Sequence, residues 1–516
     1  MRGEPLVSGP DIDVAIIGAG VVGCAMARRF TLEGAKVLVI ERAPDILAGA
    51  SKGNSAILHT GFDAEPASLE LECMQAGYAE YLSIRKRLGL PVLETGAMVV
   101  AWSPEELARL QPIFATAQVN GVGNVEMLPP ERIYAREPDL APGALGAVLV
   151  PGEHIIDPWS APLAYLLQAV NNGAELRRGA ELKAAKFWDG VWQLDTTTGP
   201  MAARWLINCA GLWGDKVEQL ALGMSSFTIK PRKGQFVVLD KAASAHIRTT
   251  LLPVPTERTK GIVLCRTIFG NVLVGPTAEE TDERDIATVD HEILAGLVAH
   301  AARLVPALTQ APVTAVYAGL RPATELKQYR IDCRAKDHYI AAGGIRSTGL
   351  TAALGIARHV FDLYASAGNP HDPIAEPLWP TVPNLADHEA RDVGKPGYGE
   401  IICHCESVTR REIEQALEGD LGAKDIGGLK RRSRAMMGRC QGFYCSAAVA
   451  AIADRHLAVP LATAGLSDFP PLPSARMGEG SLSQRGILVD SAAGFAKEPS
   501  SGRRPPSPTL RAGEGE

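Results

Sequence analysis

The chain is short of several things that would mark particular classes of protein. Aromatic residues make up only 5% of its 516 positions, with 11 Phe, 7 Trp and 10 Tyr. Neither sign of charge dominates, since 52 Lys and Arg stand against 58 Asp and Glu for a formal net charge of −6 and a pI near 6.1. That balance gives no support to a general binder of nucleic acid or anionic membranes. Long apolar runs are missing as well. The run VAIIGAGVVGCAMA at 14–27 falls short of the roughly 20 residues a membrane-spanning helix needs. No basic segment precedes an apolar stretch as in a secretory signal, so the nine cysteines are not expected to form a disulfide framework. A soluble cytoplasmic protein that keeps thiols for chemistry or metal is expected. No repeat of fixed period stands out.

What is present is ample apolar material, 46% of the chain, over a length that suggests three or so domains. DVAII at 13–17 reads as a buried strand, 21–33 as a helix and KVLVI at 36–40 as a second buried strand. Further strands are expected at 98–102, 204–211, 235–240, 271–275 and 338–344, and helices at 66–88, 159–170, 290–304 and 350–365. NPHDPIAEPLWPTVPN at 369–384 reads as a linker, and the Pro/Ser/Gly-rich end as mostly disordered.

The string Gly18-Ala19-Gly20-Val21-Val22-Gly23 follows a strand and opens a helix, the setting that gives a GxGxxG pattern meaning. Gly18 permits a tight turn, Gly20 lets the backbone approach a pyrophosphate, and Gly23 lets helix and strand pack closely. The helix N-terminus offers N–H groups and positive dipole to the phosphates. Glu41 closes the second strand, where a carboxylate can accept ribose hydroxyls and repel a phosphate on that ribose. No second GxGxxG stands in the same setting, so no dedicated NAD(P)H site is expected.

Two later segments separate FAD from NAD. LINCAGLWGD at 206–215 resembles the strand-to-glycine turn that returns to the dinucleotide in FAD oxidoreductases, and GGIRSTGLTAALGIA at 343–357 resembles their last flavin-contacting stretch. With DVAIIGAGVVG, the block SKGNSAILHTGFDAEPASLE at 51–70 and AGLRPAT at 318–324, residues 11 to about 365 resemble the D-amino-acid-oxidase-like superfamily of FAD enzymes. The resemblance is to the branch of glycerol-3-phosphate dehydrogenases and L-2-hydroxyglutarate oxidases. It implies an α/β fold in which a Rossmann-type FAD-binding domain (11–90, 145–215 and 338–366) is interleaved with an α+β substrate domain (91–144 and 216–337). The linker then extends over 369–399. Implied FAD contacts are Gly18, Gly20, Gly23, Glu41, Ser51, Asn54, Ser55, Ala210, Gly211, Gly344, Gly349, Leu350 and Thr351.

In that branch the histidine matching His59 faces the substrate side of the flavin. Oxidising a secondary alcohol requires hydride to leave carbon for flavin N5 while a base takes the hydroxyl proton, which suits a histidine. A structural or flavin-orienting histidine is the other reading of His59. Arg321 and Arg346 are candidates for gripping an anionic substrate, because guanidinium binds carboxylate or phosphate bidentately; a salt bridge or flavin contact would explain either. For Lys233 and Gln235 entry into the substrate domain and a solvated strand start are equal readings, and both residues are left outside the site.

Cys403-His404-Cys405 and Gly438-Arg439-Cys440-Gln441-Gly442-Phe443-Tyr444-Cys445 give a C-x-C and C-x4-C arrangement. Four thiolates are the complement of a [2Fe-2S] cluster, whereas structural zinc more often uses C-x2-C pairs. TRRE at 409–412 has capping-box spacing, and both cysteine pairs are expected near helix N-termini. The segment is similar throughout to the small [2Fe-2S] domain of bacterioferritin-associated ferredoxin, which implies a mainly helical module at 400–457 with Cys403, Cys405, Cys440 and Cys445 as ligands, followed by a disordered tail at 458–516. The other five cysteines are read as small packing residues.

Together these imply a dehydrogenase that oxidises a small anionic hydroxy compound, glycerol 3-phosphate first. Electrons would pass through the cluster to a separate protein or quinone, with membrane association only through a partner. L-2-hydroxyglutarate or another 2-hydroxy acid, an amine such as hydroxyproline or sarcosine, or a non-enzymatic electron-transfer subunit are the alternatives.

Overall fold

The computed structural model describes residues 11–256, 261–391 and 393–461. The tail read as disordered lies, beyond 461, outside the described residues. Strands β1 (Val14–Ile17) and β2 (Val37–Glu41) are buried along their whole length, and helix α1 (Val21–Leu32) links them. They form the middle of a six-stranded sheet, in the order Arg330–Arg334, Tyr339–Gly343, Trp205–Asn208, β1, β2, Glu175–Arg178. All neighbours run parallel except the edge strand Arg330–Arg334. Such a sheet has to be covered on both faces. Helices α1, Ser160–Asn171 and Gly349–Ser366 cover one face, with Leu69–Leu88 packed over them. A three-stranded meander spanning 182–203 covers the other.

A nine-stranded sheet forms the second layer system, with its own core around Met98, Val237, Leu264 and Val274. Its long strands Arg232–Leu239 and Val313–Arg321 pair antiparallel and end with Arg232 opposite Arg321. Two boundaries drawn from the sequence move. Gly146–Val150 hydrogen-bonds to Ala97–Ala101 and so belongs to the nine-stranded sheet, while Arg330–Arg334 joins the six-stranded one. Strand pairing decides such assignments, and a strand's composition does not name its partner.

The Pro-rich stretch 369–384 carries no helix or strand, yet it is fastened to the body. Val382 N–H donates to Leu88 O at 3.0 Å, Leu378 N–H to the Asn172 side chain at 2.8 Å, and the Arg87 guanidinium covers the Trp379 ring at 3.7 Å. Beyond it, a hairpin (Ile401–Cys403 with Val408–Thr409) and helices Arg410–Leu417, Ile426–Ser433 and Ser446–Ala453 enclose a small core of their own. Thr409 and Glu412 form the reciprocal capping box that TRRE announced. The module docks on the body through buried Asp45, which accepts both Arg432 Nη atoms at 2.9 and 2.7 Å and the Lys424 N–H at 3.0 Å. Gly428 allows this approach, since a Cβ there would sit 1.8 Å from Asp45 Oδ2. On the far side Arg439 pairs with Asp240 at 2.7 Å. Among the described residues no helix is long and apolar enough to cross a membrane.

Candidate active site and cysteine centre

A cavity of about 1490 Å³ opens where β1, β2, Trp205–Asn208 and Tyr339–Gly343 end. It exceeds the roughly 300–1,000 Å³ of most small-ligand sites, and it lies at the carboxyl ends of the strands, where open α/β sheets bind dinucleotides. Gly18, Gly20, Glu41, Ser51, Asn54, Ser55, Ala210, Gly211, Gly344, Gly349 and Leu350 all line it. Gly18 has φ of +103°, and a Cβ there would lie 2.7 Å from Cys209 O. Ser51 Oγ accepts the Val21 N–H at 3.0 Å and so caps the first turn of α1. Glu41 accepts Ala19 N–H at 2.7 Å and Ala43 N–H at 2.9 Å; burial pushes its carboxyl above the ordinary range, while these N–H groups oppose the shift.

Two residues expected at the cofactor do not line the cavity. Gly23 acts behind it, where a Cβ would meet Gly18 O at 1.9 Å, which is the close helix–strand packing its place in the motif demands. Thr351 is buried; its hydroxyl accepts the His59 N–H at 3.0 Å and reaches Ile57 O at 3.3 Å, so it positions the His59 segment from outside. A cradle bare of Cβ atoms, a helix N-terminus and a buried acid at the strand end fit FAD.

At the other end of the cavity His59 is half-buried, with Nδ1 2.8 Å from Glu153 Oε2. Glu153 is buried and also accepts the Thr60 N–H and hydroxyl, at 2.6 and 2.8 Å. A carboxylate only accepts, so this geometry favours the tautomer with the proton on Nδ1 and leaves Nε2 as the acceptor. No sequence signal marks Glu153, a single acid in a turn 94 positions from its partner.

The two arginines part company. Arg346 lies 3.7 Å from the Glu70 carboxylate, so part of its charge is already answered. Arg321 donates to the Thr277 carbonyl at 3.2 Å and has no carboxylate partner among the described residues. Burial pulls it down to about 10, its neighbour Arg232 adding to the shift, so it remains a cation at neutral pH. Both line the cavity, as do Lys52, Arg232 and Lys327, which sequence reasoning missed. Lys233 pairs with Glu279 at 3.0 Å, Gln235 donates to the same carboxylate at 3.0 Å, and neither lines the cavity.

In the module the thiols come two and two. Cys405 is hydrogen-bonded to Cys440, and Cys403 to Cys445. Among the described residues no three His, Cys, Asp or Glu side chains surround one point as a single metal ion would require. Four thiols grouped in this way have the donor chemistry a two-iron cluster requires. The Tyr444, Gly442 and Phe443 N–H groups point at the Cys440 sulfur and lower its pKa, a set of donors that stabilises thiolate. Of the four, only Cys445 sits at a helix start. Cys445 occupies the N-cap of Ser446–Ala453, but Cys403 and Cys405 belong to the hairpin, and the helix begins only at Arg410. Of the five other cysteines, four are buried and Cys333 is half-buried, and burial pushes the Cys209 and Cys265 thiols up to about 12.

Residues 13–363 match the DAO family of FAD-dependent oxidoreductases, and residues 401–455 match the BFD-like [2Fe-2S] binding domain. The chain belongs to that oxidoreductase family; it is an FAD-dependent enzyme that also carries a [2Fe-2S] cluster. It is 31% identical over 459 residues to a glycerol 3-phosphate dehydrogenase of Caloramator mitchellensis, covering 87% of this chain and 95% of the relative. It is 29% identical over 284 residues to the mitochondrial L-2-hydroxyglutarate dehydrogenase of Caenorhabditis elegans, covering 52% of this chain and 64% of that one. The solved structure of an L-alpha-glycerophosphate oxidase of Mycoplasma pneumoniae with FAD bound superposes with a TM-score of 0.67 at 27% identity, over 72% of this chain and 99% of that one.

Proposed function

We propose that this protein is a glycerol-3-phosphate dehydrogenase that passes electrons to a separate acceptor, a redox protein or quinone. Bound FAD supplies a two-electron acceptor and the cluster a one-electron carrier. The observation that carries the reading is Arg321, a half-buried cation with no carboxylate partner among the described residues, lining the same cavity as His59. A partly desolvated charge without a counter-ion is costly, so the site asks for an anion; Lys327 and Arg232, the latter already 3.2 Å from Glu280, also line the cavity and favour the doubly charged phosphate. With the anionic end held there, the hydroxyl proton is taken by His59 Nε2, while Glu153 fixes the imidazole and balances the charge it gains. A relative 31% identical over 87% of this chain is named for that substrate.

Anaerobic titration of the purified protein with glycerol 3-phosphate, L-2-hydroxyglutarate, hydroxyproline and sarcosine tests this. Glycerol 3-phosphate alone is expected to bleach the flavin bands. Arg321→Met should retain FAD but need roughly 10- to 100-fold more substrate for half-bleaching, the worth of a charge-assisted contact. Bleaching by L-2-hydroxyglutarate instead would move the assignment to the hydroxy acid, and bleaching by none would favour an electron-transfer subunit.

A further inference from the structure

In a chain with 5% aromatic residues, four of them share one apolar cluster between the cavity wall and the cysteine module: Trp159, Phe236, Phe269 and Tyr317. Trp159 Nε1 donates to the Lys52 carbonyl at 3.1 Å, and Lys52 lies in the Ser51–Ser55 segment of the cavity wall. The other side of Trp159 stacks on Phe269, with ring centroids 5.4 Å apart and planes at 15°. The Arg434 guanidinium covers Phe269 at 4.1 Å from its centroid. Arg434 belongs to the module. It is buried, its Nε and Nη2 lie 3.3 Å from Glu406, the residue after Cys405, and its Nη1 lies 3.7 Å from Met437 Sδ. Its backbone is left-handed, φ 69°, a conformation that carries strain in any residue but Gly, Asn or Asp and persists where the surroundings impose it.

We propose that Trp159, Phe269 and Arg434 form the conduit through which electrons leave the cavity for the four-cysteine centre, with the module held in one docked position. This rests on the flavin-and-cluster reading and not on the identity of the substrate. Tunnelling is favoured through bonded and touching atoms over empty space, and these contacts run unbroken from Lys52 to the residue beside Cys405. The rings are not themselves oxidised. Each transfer takes one electron from the reduced flavin and gives it to the oxidised cluster. An external acceptor of the quinone or redox-protein class empties the cluster between two such transfers, and the flavin's protons pass to water. Docking by the buried pair of Asp45 with Arg432, and by the exposed Arg439 on Asp240 at the far side, keeps the path closed without a domain swing.

The test uses holoenzyme and light. With the flavin photoreduced anaerobically by EDTA as the sacrificial electron donor, in the absence of substrate, flavin absorbance and the cluster's electron paramagnetic resonance signal are followed in rapidly frozen samples. Trp159→Leu and Phe269→Leu are expected to slow cluster reduction about tenfold or more, as small displacements of reacting partners do. Trp159→Phe should recover most of the rate. Flavin, iron and hydrogen exchange at 401–409 should stay at wild-type levels in all three. Wild-type rates in both leucine variants would overturn the proposal, as would slowing matched by faster exchange at 401–409, which would report lost docking. Because light reduces the flavin, failure of glycerol 3-phosphate to bleach it would count against the substrate assignment alone.

Discussion

Arg321 and His59 show how a residue's role depends on what is withheld from it. Arg321 and Arg346 look alike in the sequence, each two residues after a glycine, but Glu70 meets one and, among the described residues, no carboxylate meets the other. His59 carries the proton chemistry, yet Glu153 decides which nitrogen is available. Glu153→Gln should therefore lower kcat by roughly 10²-fold, within the range a positioned base contributes. KM and the flavin spectrum should hold, and Glu153→Asp should recover part of the rate. Steady-state kinetics on FAD-replete protein checks it; an unchanged kcat would reduce Glu153 to a structural carboxylate.

At the scale of elements, the β1–α1–β2 unit was legible in full, because its requirements are local. A tight turn, a close helix and an acid at the strand end follow from spacing alone, and at Gly23 a Cβ would meet Gly18 O at 1.9 Å, just where the pattern demands glycine. The module was legible in its cysteine count and in the capping box Thr409–Glu412, also local. The hairpin carrying Cys403 and Cys405 was not, since two short strands have too few residues to set a period. Gly438 brings the two halves of the module together, and a Cβ there would lie 2.3 Å from Cys405 Cβ. Gly438→Ala is expected to cost most of the bound iron and sulfide while FAD stays at wild-type occupancy, as iron analysis and the flavin spectrum would report.

On the scale of the whole molecule, the link between flavin body and module is a buried ion pair spanning 387 positions of chain, Asp45 with Arg432. Removing one partner of such a pair leaves an uncompensated charge and costs about 3–5 kcal/mol. Asp45→Asn should loosen the module without unfolding either core, so amides of 422–434 should exchange faster while those of β1 and β2 keep their protection. Equal exchange in both regions would show that the other contacts hold the module alone.

Some of this protein was settled by sequence alone. The dinucleotide turn, the capping box at 409–412 and the two long helices read at 66–88 and 350–365, found at 69–88 and 349–366, come from short-range spacing, where steric and hydrogen-bonding demands act between neighbours in the chain. Tertiary structure alone decided which strand joined which sheet, which arginine went without a carboxylate, and that Glu153 would stand behind His59. It also gathered a few of a scarce set of aromatic rings between cavity and cluster. These are relations between residues far apart in sequence, chosen by packing and by the cost of burying charge, and no window along the chain contains both partners.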